Sequence, residues 1–315
     1  MKIASFPKLR LKLSTQDEIA GWLFALPWIL GFLMFTLGPM IWSAFMSFTN
    51  YDMFKWQWTG LANFRRMFLV DDLVLRSLGV TTTYALMSVP LHLTFGFTLA
   101  LLLNQKIKGL SIWRTIFYLP SVISGVAVII MWILILSPEF GLINSMLAYI
   151  GIKGPNWLGS PQTALPSLVM MSLWGVGGSM LIYLGGLQGI PTELYDAAKV
   201  DGCNDWKSFW NVTVPMMSPV IFFNLVMGII GALQTFDTAF IATRGGPAFS
   251  TYFYMLHLFT NAFEMLKMGY ASALAWVLFI YIMILTMLVF RFGSTWVFYE
   301  EAFRKDKKSK VRKNV

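Results

Sequence analysis

The chain has 315 residues, of which 57% are apolar and 12% charged, and a formal net charge of +9. With a mean hydropathy of +0.65, it is too apolar and too poor in charge for an ordinary soluble domain. Its single cysteine, Cys203, excludes an internal disulfide.

A helix needs roughly 20 apolar residues to span a bilayer. Six runs reach that length, at about 21–46, 79–103, 113–136, 163–187, 218–242 and 270–292. Lys2, Lys8, Arg10 and Lys12 precede the first run. That run exceeds the roughly 7–15 residues of a signal h-region and no small-x-small cleavage site closes it, so it reads as a retained span. Between spans, 60–69 and 141–150 can lie on the membrane surface as short helices, and Trp56, Trp58 and Trp157 suit an interfacial aromatic belt. Pro27, Pro90, Pro120 and Gly125 fall inside apolar runs, where membrane helices tolerate them. The short alternating segments of a β-barrel are not seen, nor is an internal repeat.

Charge predicts orientation. The N-terminus, the 104–114 loop with Lys106, Lys108 and Arg114, the 188–217 loop and the tail from Arg304 to Lys313 share one side and most of the cations. The other side has fewer, among them Arg65, Arg66, Lys153 and Lys267. The positive-inside rule then places both termini in the cytoplasm. The expected organisation is a cytoplasmic segment at 1–20, a six-span domain at 21–293 and a basic cytoplasmic tail at 294–315, with no soluble domain appended. No nucleic-acid-reading motif accompanies the tail, so membrane lipid is its expected partner and nucleic acid is not.

The 188–217 loop is longer than a turn requires. Pro191-Thr192 followed by Glu193 is a helix-start signal, with Thr192 as a cap and the carboxylates of Glu193 and Asp196 suited to the positive end of the helix. Leu194, Ala197, Ala198 and Val200 supply a small apolar surface, and Gly202 a C-terminal stop. Asn204-Asp205 starts a second short helix, on which Trp206, Phe209, Trp210 and Thr213 recur at helical spacing before Pro215 and Pro219 open the next span. The result is two short helices parallel to the membrane. Their narrow first face suits a groove on a partner; a solvated interfacial loop accounts for the same residues.

At this loop the chain resembles a known family. Asp196-Ala197-Ala198, then Gly202, then Phe209 and Val214-Pro215, resemble the "EAA" loop of ATP-binding-cassette (ABC) import permeases. Asp replaces Glu at 196, Cys203 takes a position usually held by Ala, and Val214 replaces Leu. Gly60-Leu-Ala-Asn-Phe64, Arg114-Thr-Ile-Phe-Tyr-Leu-Pro120, Phe236-Asp237, Thr243-Arg-Gly-Gly-Pro247 and Gly269-Tyr-Ala-Ser-Ala273 extend the likeness to carbohydrate-type permeases, in order along nearly the whole chain. It is closest to the maltose-type first permease subunit, without a large external insert.

The resemblance implies an all-α integral membrane protein of the type I importer fold, with six transmembrane helices, in a bacterial-type inner membrane. It implies a transport subunit rather than an enzyme, paired with a second, homologous permease. Two cytoplasmic ATPase subunits would carry the ATP and Mg, with no cofactor in this chain, and an extracytoplasmic binding protein would deliver a carbohydrate or related polar solute. Glu193, Asp196, Ala197, Ala198, Asp201 and Gly202 would couple the chain to the ATPase. A P-loop requires a Gly-Lys step, which this chain lacks, so energy comes from a partner or an ion gradient. The alternative, an ion-gradient-driven secondary transporter, needs intramembrane carboxylates or histidine relays, and the spans hold few.

Polar residues inside spans mark the substrate path, because burying them in lipid is costly. Asn224, Gln234 and Asp237 lie in the fifth run, where a continuous helix puts Gln234 and Asp237 on one face with Asn224 near it. Phe236 and Phe240 supply aromatic faces for a sugar. Asn224 and Gln234 also suit hydrogen bonding between helices, and Asp237 an interfacial position. His92 reads as hydrogen-bonded to a neighbour, and His257 has no second histidine at ligand spacing, so no metal is expected.

Overall fold

The computed structural model describes residues 13–105, 108–293 and 295–298. Lys2, Lys8, Arg10 and Lys12, Lys106, and the tail from Arg304 to Lys313 lie outside them. Among the described residues the fold is helical, with one isolated antiparallel bridge between Thr49 and Trp58. Four helices are long and apolar enough to cross a membrane, and two bent helix pairs bring the number to six if each pair is one span.

The first span is α1 (Leu13–Phe32), a π turn at Leu33–Leu37 and α2 (Gly38–Met46). The Gly38 N–H bonds the Leu33 carbonyl, one residue further back than in an α-helix. The residue that follows is Pro39, which has no N–H and whose ring crowds the carbonyl four residues back. Widening the turn by one residue accommodates the ring without breaking the helix. The same device recurs at Phe209–Thr213, directly before Val214-Pro215.

α3 (Ala62–Leu69) and α7 (Leu142–Tyr149) are the two short helices expected between spans. The Asn63 amide, at the start of α3, donates to the Ser47 and Thr49 carbonyls at 2.8 Å each and ties α3 to the end of the first span.

α4 (Asp72–Leu103) is the central helix. Its 32 residues extend about 48 Å at 1.5 Å per residue, beyond the roughly 30 Å hydrocarbon core. One apolar core surrounds its first half, with Val74, Tyr84 and Val89 packed near Leu168, Phe253, Tyr254 and Leu274. A second surrounds its last turns, with Leu99, Ala100 and Leu103 near Met180, Tyr183, Leu184 and Met217. Ser88, His92 and Leu93, between the two cores, line a cavity.

The third and fourth spans correct the expectation of unbroken helices at 113–136 and 163–187. The third is α5 (Leu110–Val122) and α6 (Gly125–Ile135), bent by 98°. Pro120 removes one helical hydrogen bond, and Ile123 and Ser124 are extended, with ψ of 144° and 129°. The fourth is α8 (Pro161–Leu173) and α9 (Gly177–Gln188), bent by 49° around Trp174, Gly175 and Val176. At this bend Gly177 packs directly on the backbone of α5, where an added Cβ would collide with the Phe117 carbonyl and Tyr118 Cα. Gly177→Ala is therefore expected to destabilise the protein by about 1–3 kcal/mol, read as a lower thermal midpoint in detergent. Gly178, whose Cβ would meet nothing within 4 Å, is the control and should tolerate alanine.

α10 (Thr192–Val200) and α11 (Asp205–Ser208) form the 188–217 loop. α11 is not a separate surface helix, as the sequence suggested. It continues through the π turn at Phe209–Thr213 into α12 (Val214–Leu233), the wider turn making room for the Pro215 ring. The expected fifth span, 218–242, is likewise interrupted: α12 ends at Leu233, and α13 (Asp237–Ala242) starts after Gln234, Thr235 and Phe236. α14 (Tyr254–Phe259) and a π turn at Thr260–Glu264 lead to the last span, α15 (Met268–Gly293).

Candidate functional site

Two regions hold most of the sequence-predicted site residues, α10 and a pair of cavities among the spans. The first is α10. Pro191 occupies the N-cap position, so Thr192 is the first helical residue and does not cap. The helix ends as expected at Gly202. With φ of +77°, Gly202 lets its own N–H bond Lys199 O at 3.0 Å and the Cys203 N–H bond Ala198 O at 2.9 Å. This pair of bonds is the Schellman stop, which satisfies carbonyls that the helix end would otherwise leave unpaired. Asn204 then caps the next helix by accepting from the Lys207 N–H at 2.9 Å.

The two faces of α10 differ. Ala198 is buried, and Tyr195 is half-buried with its hydroxyl 3.0 Å from Thr213 Oγ1. These two seat the helix against its own chain. Glu193, Asp196, Ala197, Val200, Asp201 and Gly202 are exposed. Positions 193, 196, 197 and 200 follow the i, i+3, i+4, i+7 spacing of one helix face, so the exposed residues form a stripe ending in Val200, which is 88% exposed. The ion pair within the stripe, Lys199 Nζ to Asp196 Oδ1, is 3.9 Å and solvent-exposed, and contributes little. Ala198 alone of the six expected coupling residues faces inward.

The second region lies within the bundle. A cavity of about 350 Å³ is lined by Tyr84, Ser88 and His92 of α4, Ser172 and Ser179 of the fourth span, and Asn224, Gly228, Gly231 and Thr235 around α12. His92 Nε2 is 3.0 Å from Ser172 Oγ, the neighbour bond expected for a lone histidine. Ser88 Oγ is buried with no hydrogen-bond partner among the described residues. A second cavity, of about 380 Å³, shares Ser172. It is lined by Pro120, Ser121, Ile123 and Gly125 at the break in the third span, by Trp174 and Gly175 at the bend in the fourth, and by Asp237 and Thr238 beyond the break in the fifth. Trp132 also lines it, with its indole N–H buried and without a hydrogen-bond partner among the described residues. Three interrupted spans therefore meet at one cavity. Non-helical backbone at membrane depth is tolerated where it is buried in protein or lines a water-filled space.

The four path residues expected from the sequence divide. Asn224 lines the first cavity and Asp237 the second. The Asn224 amide donates to Val220 O of its own helix at 2.9 Å. Gln234 and Asp237 do not share a helix face, because the backbone leaves the helix between them: Phe236 has φ of −130°. Gln234 is exposed and lines neither cavity. Phe236 and Phe240 stack on each other at 5.1 Å and pack on Phe259, so their faces are occupied within the fold. Tyr84 and Ser88 were missed in the sequence, and His92 was read only as hydrogen-bonded to a neighbour. Their i, i+4, i+8 spacing puts the three on one helix face and was the available signal.

Residues 74–295 match the family described as "Binding-protein-dependent transport system inner membrane component". The chain is 47% identical over 290 residues to the probable ABC transporter permease protein YesP of Bacillus subtilis, covering 90% of this chain and 94% of that protein. It is 30% identical over 288 residues to the trehalose/maltose transport system permease protein MalF of Thermococcus litoralis, covering 90% and 97%. In fold it is similar to a chain of a bacterial ABC transporter involved in the import of the acidic polysaccharide alginate, with a TM-score of 0.79 at 24% identity, covering 90% of this chain and 99% of that one. The chain belongs to the binding-protein-dependent transport system inner membrane components, and is a multi-pass permease subunit of an ABC importer.

Proposed function

We propose that this permease moves a carbohydrate or related polar solute through the two cavities that share Ser172, after an extracytoplasmic binding protein delivers it. The observation that carries this reading is the convergence of three interrupted spans on a cavity lined by two tryptophans, a carboxylate and hydroxyl groups. Sugar hydroxyls need donors and acceptors at several angles, and sugar faces pack against aromatic rings. Relatives named for trehalose and maltose, multiple sugars and lactose support the solute class. Membership of this family does not favour the ion-gradient alternative.

The complex we infer has a second, homologous permease opposite this chain and two ATPase subunits that hold ATP and Mg. The exposed stripe on α10 docks on an ATPase. Its end of the bundle is cytoplasmic, with both termini on that side. Trp22, Phe24 and Trp28 of α1 are exposed, and their cover is lipid or the second permease.

The test is uptake by proteoliposomes holding both permeases, the ATPases and a solute-loaded binding protein. ATP-dependent accumulation of a neutral oligosaccharide is expected, with no uptake when ATP or the binding protein is omitted. Uptake driven by a proton or sodium gradient without ATP would overturn the reading.

A further inference from the structure

At the end of α4 opposite α10 lies a polar cluster that neither the substrate path nor the docking stripe uses. Asp71, the N-cap of α4, receives the Tyr270 hydroxyl on Oδ2 at 2.7 Å, and His257 Nε2 lies 3.1 Å from the same oxygen. The His257 side chain is almost fully buried. Its Nδ1 is 3.3 Å from the Tyr252 hydroxyl, and Asn261 donates to the His257 carbonyl at 2.9 Å. Arg66 of α3 covers the Tyr270 ring at 4.8 Å. The cluster thus joins α3, the start of α4, α14 and α15.

The segment it holds leads to the cavity. The Tyr254 N–H donates to Thr81 Oγ1 at 2.9 Å, and the Tyr254 hydroxyl donates to Leu274 O at 3.0 Å. Phe253 packs on Tyr84 with ring centroids 4.9 Å apart, and Tyr84 is a wall of the first cavity. We propose that Asp71 and His257 are positioning residues for translocation, seating residues 253–261 against α4 so that Phe253 backs Tyr84. A well-packed apolar seat would hold this segment as firmly; a connected set of hydrogen bonds also specifies a single register. This inference rests on the cavity being part of the substrate path.

With Nε2–H donating to Asp71 and Nδ1 accepting from the Tyr252 hydroxyl, a neutral imidazole has both nitrogens satisfied. Burial holds the His257 pKa below its ordinary 6.5, against the opposing pull of Asp71 and with a smaller contribution from Arg66. The other titratable groups around the cluster are Tyr252, Tyr254, Tyr270 and, through Tyr252, Glu264. A histidine that binds its proton less readily when folded stabilises the fold fully above about pH 6.5, and that contribution falls as pH drops toward the folded value. The thermal midpoint is therefore expected to fall on acidification from neutral pH, and less so in His257→Gln.

The deciding experiment uses the full complex in proteoliposomes, on a Cys203→Ser background with Ser88→Cys as a reporter inside the cavity. His257→Leu is expected to change the maleimide labelling rate at position 88 by about fivefold or more, and to raise the concentration of loaded binding protein needed for half-maximal uptake. His257→Gln keeps a donor facing Asp71 and should restore both. Labelling and uptake in His257→Leu equal to the parent would overturn the proposal. So would failure of His257→Gln to the same degree as His257→Leu, which would make the histidine a packing residue. A parent complex that labels at position 88 but carries no solute strikes at the function proposed above; the labelling comparison still decides the role of His257.

Discussion

Gly202→Val is expected to reduce ATP-driven uptake more than tenfold while the complex still assembles. The reason is conformational rather than steric. Gly202 has φ of +77°, and a Cβ there would meet no atom within 4 Å. A left-handed conformation costs an L-residue roughly 1–2 kcal/mol, and a β-branched side chain stands at the upper end. α10 has nine residues, too few to be stable alone in water. Its inward face offers Tyr195 and Ala198, with one side-chain hydrogen bond to Thr213. A penalty of this size is comparable to what seats the helix. Losing the stop at Gly202 shifts the Glu193–Val200 stripe relative to α11, which is continuous with the fifth span. The spans pack elsewhere and should be unaffected. Asparagine accepts the left-handed conformation more readily than other side chains, so uptake should fall in the order Gly, Asn, Ala, Val. The measurements are uptake and binding-protein-stimulated ATP hydrolysis in the same proteoliposomes. An assembled Gly202→Val complex with normal uptake would remove α10 from the coupling route.

The stripe was readable in the sequence because everything that defines it is local. Helix periodicity, an acidic first turn and a glycine stop lie within about one helix length of each other. The N-cap was misplaced by one residue, with Pro191 taking the position expected of Thr192, and Ala198 faces inward rather than outward. The spans were readable for the same reason, since length and apolarity are properties of a single run. What could not be read were the interruptions. Ile123 and Ser124 sit in a run as apolar as its flanks, and Pro120 is a residue that membrane helices often absorb without breaking. Extrapolating 100° per residue from Gln234 to Asp237 assumed a continuous helix at the point where α12 ends. Asp71 and His257 are 186 positions apart, and no local signal joins them. Polar residues on one helix were within reach, as Tyr84, Ser88 and His92 show. Their convergence with Ser172 and Asn224 depends on how three helices pack.

Gly231→Phe is expected to abolish uptake without lowering stability, and it is the most direct test of the path. Gly231 lines the first cavity, and a Cβ added to it would meet nothing within 4 Å. An aromatic ring there would extend into a space of about 350 Å³ from a Cβ that meets no neighbour. Because glycine inside a helix costs roughly 0.5–1 kcal/mol relative to alanine, the substitution should hold or raise the thermal midpoint. This is opposite in sign to Gly177→Ala, where the added carbon strikes backbone. The pair separates blocking from misfolding: Gly231→Phe should assemble, melt normally and still hydrolyse ATP, but accumulate no solute. Gly231→Ala leaves most of the cavity open and should transport. If Gly231→Phe transports like the parent, solute does not pass Ser88, His92 and Asn224. The path then runs only past the second cavity, where Trp132, Trp174 and Asp237 become the positions to fill next.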